Sequence, residues 1–124
     1  MEAFPREIRF YETVTGRVPC EEWLDSLEGQ DIYEIVMLRL DKVELGTLGK
    51  TRGLGEGVSE LIIDDGPGYR IYYGLIGPRG DIVVLLNGGE KKTQDVDIKL
   101  AKKYWKDKEF NHGGADQDIR SMET

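Results

Sequence analysis

Two short segments punctuate the second half of the chain strongly enough to set its topology: Asp64-Asp65-Gly66-Pro67-Gly68 and Gly77-Pro78-Arg79-Gly80. Glycine admits positive φ, and proline fixes φ while removing a backbone donor, so each segment reads as a turn. They separate three stretches with strand character, Val58–Ile63, Tyr69–Ile76 and Ile82–Leu86. In the middle stretch Tyr69, Ile71, Tyr73 and Leu75 fall on one side, and Arg70, Tyr72 and Ile76 on the other. The unbroken run Ile82-Val-Val-Leu-Leu suits a central strand covered on both faces. Tight turns join antiparallel neighbours, so the expectation is an antiparallel meander.

The first half reads differently. Glu7 to Thr13 alternates as a strand. Pro19 suits a first helical position, and Trp23, Leu24 and Leu27 give the helix an apolar side that Gly29 ends. A second helix starts at Asp31, repeats Ile32, Ile35, Val36, Leu40 and Val43 at helical spacing, and closes at Gly46. Gly46 to Gly57 is glycine-rich and basic and reads as a loop. After Gly88 and Gly89, Thr93 is placed to cap a last helix with Val96, Leu100, Ala101 and Tyr104 as its stripe. The order β-α-α-β-β-β-α predicts an α+β domain. Its antiparallel sheet packs against an N-terminal helical hairpin and a C-terminal helix. One domain is expected over residues 1–108, with a flexible tail over 109–124.

Composition removes several function classes. Cys20 is the single cysteine and His112 the single histidine, so neither a disulfide nor a Cys/His zinc site can form within the chain. Catalysis would have to use carboxylates, lysines, arginines or tyrosines, and no metal or cofactor is expected. No apolar run is long enough to span a bilayer, and Met1-Glu-Ala-Phe-Pro-Arg has no apolar signal core, so a cytoplasmic location and no membrane partner are expected. The formal net charge of −7 argues against a generic nucleic-acid binder. The charge is uneven, however: Lys91 to Lys108 carries seven lysines against Asp95, Asp97 and Asp107. A local basic face can meet phosphates although the whole chain is acidic.

The runs Val58-Ser-Glu-Leu, Gly66-Pro-Gly-Tyr-Arg-Ile-Tyr-Tyr and Ile82-Val-Val-Leu-Leu-Asn-Gly-Gly-Glu-Lys-Lys-Thr-Gln-Asp-Val-Asp-Ile-Lys-Leu-Ala resemble the RelE/ParE toxin superfamily. More narrowly they resemble its HigB-like, phage-derived branch of addiction-module killer proteins. The likeness follows the element order from roughly Glu7 to Trp105. It implies a RelE-like fold and the toxin of a type II toxin–antitoxin pair. The activity implied is a ribosome-dependent mRNA endoribonuclease, with the ribosome, mRNA and a cognate antitoxin, often a helix-turn-helix protein, as partners. ParE-type members poison DNA gyrase instead, and an inactive member would only bind its antitoxin. Some members carry a tyrosine early in the last helix, where this chain has Val96, Asp97 and Ile98.

Metal-free RNA cleavage needs a base for the 2′-hydroxyl, a cation for the charged transition state and an acid for the 5′-oxygen. Arg70 matches the family's strand arginine, and its planar fork suits a pair of phosphate oxygens. Its alternative is a surface salt bridge to Glu60 on the neighbouring strand. Lys91 and Lys92 stand where the family carries basic residues, and join Arg70 as catalytic candidates; the alternative is a solvated turn. Lys50 and Arg52 are candidates for RNA phosphates, or simply a mobile basic loop. Tyr72 is a candidate for base stacking, or a half-buried sheet tyrosine. Asp64 and Asp65 fit a polar turn better than a metal site.

Overall fold

Alternation along the central strands is what builds the layers. A computed structural model describes the backbone of residues 4–111 and the side chains of residues 4–108. The elements are β1 (Glu7–Phe10), α1 (Pro19–Ser26), α2 (Asp31–Glu44), β2 (Thr51–Gly55), β3 (Val58–Ile63), β4 (Tyr69–Ile76), β5 (Ile82–Glu90), a 3₁₀ turn (Lys91–Thr93) and α3 (Gln94–Asn111). Leu61, Ile63, Tyr69, Ile71, Tyr73, Val83 and Leu85 form one core with Leu24 and Leu27 of the α1 region and Ile32, Val36, Leu40 and Val43 of α2. Val58, Tyr72, Val84 and Leu86 form a second core with Ala101, Tyr104 and Trp105 of α3. Because successive side chains point to opposite faces, the sheet lies between α1 and α2 on one side and α3 on the other.

The five strands run in the order β1-β5-β4-β3-β2. The meander of β3, β4 and β5 is antiparallel, as its turns require. The sheet as a whole is mixed, which corrects the expected antiparallel sheet: β1 pairs in parallel with β5, Glu7 beside Ile82 and Phe10 beside Leu85. A parallel neighbour needs a long connection, and everything from α1 to β4 provides it. That geometry has no local signal at Glu7.

A second correction concerns the expected loop from Gly46 to Gly57. Its sequence Thr51-Arg-Gly-Leu-Gly forms β2, an antiparallel edge strand on β3 with a register shift between Gly53 and Gly55. The connection is a tight turn in which Glu56 and Gly57 both have positive φ, 56° and 84°, the conformation two-residue hairpins favour. Weak strand formers are here held by the ladder.

Other boundaries move. β1 stops at Phe10, and Thr13 turns the chain through hydrogen bonds with Arg17. α1 stops at Ser26, before Gly29. β5 continues through Asn87-Gly-Gly to Glu90; a side chain at Gly88 would overlap the Trp23 ring of α1, so glycine there lets helix and strand close up. α3 begins at Gln94 and passes the expected limit at Lys108 to reach Asn111. The rest of the expected tail lies outside the described residues. No helix among the described residues is long and apolar enough to cross a membrane.

Candidate functional site

On the α3 side, four strands bring polar residues into one cross-strand row. Arg52 of β2 is opposite Glu60 of β3, Glu60 is opposite Tyr72 of β4, and Tyr72 is opposite Asn87 of β5. Arg70 stands two positions along β4 on the same face. The row passes beneath the first turns of α3. Glu60 is 0% exposed, Tyr72 0%, Asn87 5% and Arg70 6%.

Glu60 is the hub. Arg52 donates from Nε to its Oε2 at 2.9 Å, with a second nitrogen, Nη2, at 2.8 Å. Gln94 Nε2 donates to Oε1 at 3.0 Å. Arg70 Nε lies 3.8 Å from Oε1, an ion-pair distance and not a hydrogen bond. Arg70 Nη1 instead donates to the Tyr69 carbonyl at 2.9 Å. A buried carboxylate is tolerated only when paired and hydrogen-bonded, and two guanidiniums and an amide provide that.

The remainder of the row is not saturated. Arg70 Nε, the Tyr72 hydroxyl and Asn87 Oδ1 are buried with no hydrogen-bond partner among the described residues. Asn87 Nδ2 donates to the Asp97 carbonyl at 3.2 Å, which ties β5 to α3. Burial raises the Tyr72 hydroxyl above its usual range, and the charges of Glu60 and Asp97 push the same way, so it stays a neutral O–H. An unmade hydrogen bond in a buried place costs about 1–3 kcal/mol. Three such atoms, Arg70 Nε, the Tyr72 hydroxyl and Asn87 Oδ1, therefore gather in one patch of the sheet.

The sequence candidates fare unequally. Arg70 is buried beneath the start of α3, not displayed on an open sheet face, and its contact with Glu60 is a buried pair, not the surface salt bridge considered for it. Lys91 is exposed and stands beside Arg70: a Cβ added to Gly68 would lie 3.4 Å from Lys91 Cβ and 3.7 Å from Arg70 Nη1. Lys92 pairs with Glu90 at 3.6 Å, its side chain 78% exposed. Lys50 pairs with Asp64. That hydrogen bond, and then the charges of Lys50, Arg70 and Lys91, hold the Asp64 carboxyl below its usual range. Arg52 belongs to a strand, not a loop, and grips Glu60 with its side chain 57% exposed. Tyr72 has no ring face open for a base, which corrects both the half-buried position and the stacking role. The Thr93 hydroxyl reaches Asp97 Oδ2 at 2.6 Å from within the 3₁₀ turn, outside α3.

Sequence reasoning did not select Asn87, Gln94 or Asp97, and it treated Glu60 as a surface partner of Arg70. Glu60 had a legible signal, the one charge in a strand whose other residues are apolar except Ser59. Asn87 and Gln94 had none, because only the packing of α3 on the sheet brings Asn87 to the Asp97 carbonyl and Gln94 to Glu60. Cys20 is fully buried and its thiol is pushed up to about 12 by burial, so it is no nucleophile.

Over 82 residues the chain is 39% identical to an uncharacterized protein of Haemophilus influenzae, a match that takes in 66% of this chain and 81% of the relative. The chain belongs to the same family as that protein. No family model and no solved structure matches the chain.

Proposed function

We propose that this member of the family is the toxin of a toxin–antitoxin pair, a RelE-like, metal-independent endoribonuclease that cleaves mRNA on the ribosome. The observation that carries the reading is the convergence of Arg52 and Arg70 on buried Glu60, with Lys91 beside Arg70. Two guanidiniums fixed by one carboxylate make a preorganised cation site, which a phosphorane-like transition state requires. In the proposed reaction the 2′-oxygen bonds to phosphorus as its proton passes to solvent water, the bond from phosphorus to the 5′-oxygen breaks, and the 5′-oxygen takes the Lys91 proton, which Lys91 regains from water, leaving a 2′,3′-cyclic phosphate and a free 5′-hydroxyl.

Roles follow from exposure and chemistry. Arg52 is the exposed fork and meets the phosphate first. Arg70 acts from beneath, its Nε ion-paired with Glu60 but without a hydrogen bond. Lys91 carries a transferable proton and suits the leaving oxygen, whereas arginine holds its protons at any physiological pH. Glu60 is a positioning residue that orients both forks. An antitoxin and the ribosome are the proposed partners, and the cytoplasm the proposed location. The gyrase reading draws no support from the row, since inhibition by binding requires no pair of arginines fixed on a buried carboxylate.

The test is induction of the chain in cells, with mRNA ends mapped, beside cleavage of a defined mRNA on purified ribosomes. Cleavage that Arg52→Ala lowers at least a hundredfold is the expected result. Growth arrest with intact mRNA and inhibited gyrase would replace this reading by the ParE-like one. Co-expression with the neighbouring reading frame should relieve toxicity and yield a complex.

A further inference from the structure

α3 carries a second charged feature, away from the Glu60 row. Lys99, Lys102, Lys103 and Lys106 are spaced to share one stripe of an α-helix. Ala101, Tyr104 and Trp105, on the other side, are buried against the sheet. With Glu56 of the β2–β3 turn, these lysines line a cavity of about 310 Å³. Lys102 Nζ lies 3.7 Å from Glu56 Oε2, and Lys103 Nζ lies 3.0 Å from Asp107 Oδ2. Lys99 and Lys106 have no ion-pair partner among the described residues.

A solvent-facing helix stripe ordinarily mixes both signs. Here Lys99 repels Lys102 and Lys103, and Lys106 repels the same two, all at spacings of three or four residues. The concentration is the more pointed in a chain of formal net charge −7. The groove is lined by lysines and one glutamate and has no apolar or aromatic anchor, which a protein interface core would need. It adjoins the candidate site through β2, because a Cβ at Gly55 would lie 3.9 Å from Lys102 Nζ, and Arg52 is three residues before Gly55. From Gln94, which holds Glu60, to Lys106 the helix advances about 18 Å at 1.5 Å per residue.

We propose that this stripe and its groove bind the phosphodiester backbone of single-stranded RNA and lead it toward Arg52. The choice of RNA rests on the cleavage reading above; the presence of an anion-binding track does not. Contacts of this kind are independent of sequence and position the strand. Each neutralised phosphate releases counterions, so the affinity must fall with salt.

The probe is a fluorescent 2′-O-methyl oligouridylate of about 12 nucleotides, which lacks the hydroxyl that cleavage needs. Its anisotropy is followed with the full chain across a range of salt. The variant is the triple substitution Lys99→Gln, Lys103→Gln, Lys106→Gln, which keeps helix propensity and relieves repulsion. The expected result is at least tenfold weaker binding at about 0.1 M salt, and a salt slope smaller by about 2. Thermal unfolding of the variant should match wild type. No binding by wild type at low salt overturns the inference, as does an unchanged slope in the variant. Equal competition by polyglutamate also overturns it and reassigns the stripe to an acidic protein. Variant-sensitive binding without mRNA cleavage sinks only the nuclease reading; cleavage with an unchanged slope sinks only the track.

Discussion

The two faces of the sheet are made by alternate residues of the same strands, yet they hold different things. Toward α1 and α2, Leu61, Ile71, Val83 and Leu85 are fully buried. Toward α3, at equal depth, lie Glu60, Arg70 and Asn87 beside Tyr72. The first face gains stability with every buried side chain. The second gains it from Val58, Val84, Leu86 and the α3 stripe, and gives up some at the polar row. Alternation makes this division possible, because an inward charge on one face leaves the packing of the other untouched. On the proposed reading, stability and cleavage should therefore be separable by mutation in neighbouring residues of one strand.

The sharpest test of that division is Leu85→Ala, on the apolar face. It should cost about 2–5 kcal/mol of unfolding free energy through lost burial and the cavity left behind, read by urea titration. Cleavage per folded molecule should be unchanged. A specific loss of cleavage would mean that the faces are coupled.

Arg70→Ala should give the opposite pattern, with cleavage reduced about a hundred- to a thousandfold, as expected for loss of an oriented donor. Its stability cost should be smaller than that of Leu85→Ala, since Arg52 and Gln94 still satisfy Glu60. Arg70→Lys keeps the charge but not the fork, and an intermediate rate would indicate two-pronged phosphate contact. If Arg70→Ala cleaved like wild type, Arg70 would be only the buried partner of Glu60.

Tyr72→Phe removes a buried hydroxyl without a protein partner. The change should be neutral or stabilising, by up to about 1 kcal/mol in denaturant titrations. Destabilisation of that size would show that the hydroxyl is satisfied, and would erase the contrast between a saturated and an unsaturated face.

The smallest effect is expected at the exposed pair Lys50–Asp64. The folded protein holds the Asp64 carboxyl below the ordinary range of an aspartate, chiefly through its hydrogen bond with Lys50. A depressed pKa contributes stability that is present above the unfolded value and is lost as pH falls through the folded one. Wild type should therefore exceed Asp64→Asn slightly at neutral pH, and the two should converge in acid. Salt should shrink the difference. A difference that persisted below both pKa values would point to backbone strain in the turn instead.

Much of the fold was legible where chain chemistry is local. The bounds of β3 and β4 follow from the two Gly/Pro turns, and the sides of β4 from strict alternation, except that Leu75 ends 39% exposed near the strand's end. Arg70 was legible as a candidate by its motif, but its depth was not. Sequence alternation assigns a side and cannot say whether a helix covers it. Tyr72 misled for the same reason. β2 was illegible because Thr51-Arg-Gly-Leu-Gly has little strand propensity, and its register comes from β3 and the positive-φ turn.

The sequence by itself determined the turns, the central strands, the helices, the α+β class and the residue types left for chemistry. Those rest on interactions between residues near in the chain, where period and turn propensity act. Tertiary structure alone decided that β1 joins β5 in parallel, that Arg52 grips Glu60, and that α3 closes over the polar row. These depend on burial and on partners many residues apart, and a polar side chain's meaning changes with what covers it: in water Glu60 is one acid among many, but buried against two arginines and Gln94 it fixes the geometry of the polar row.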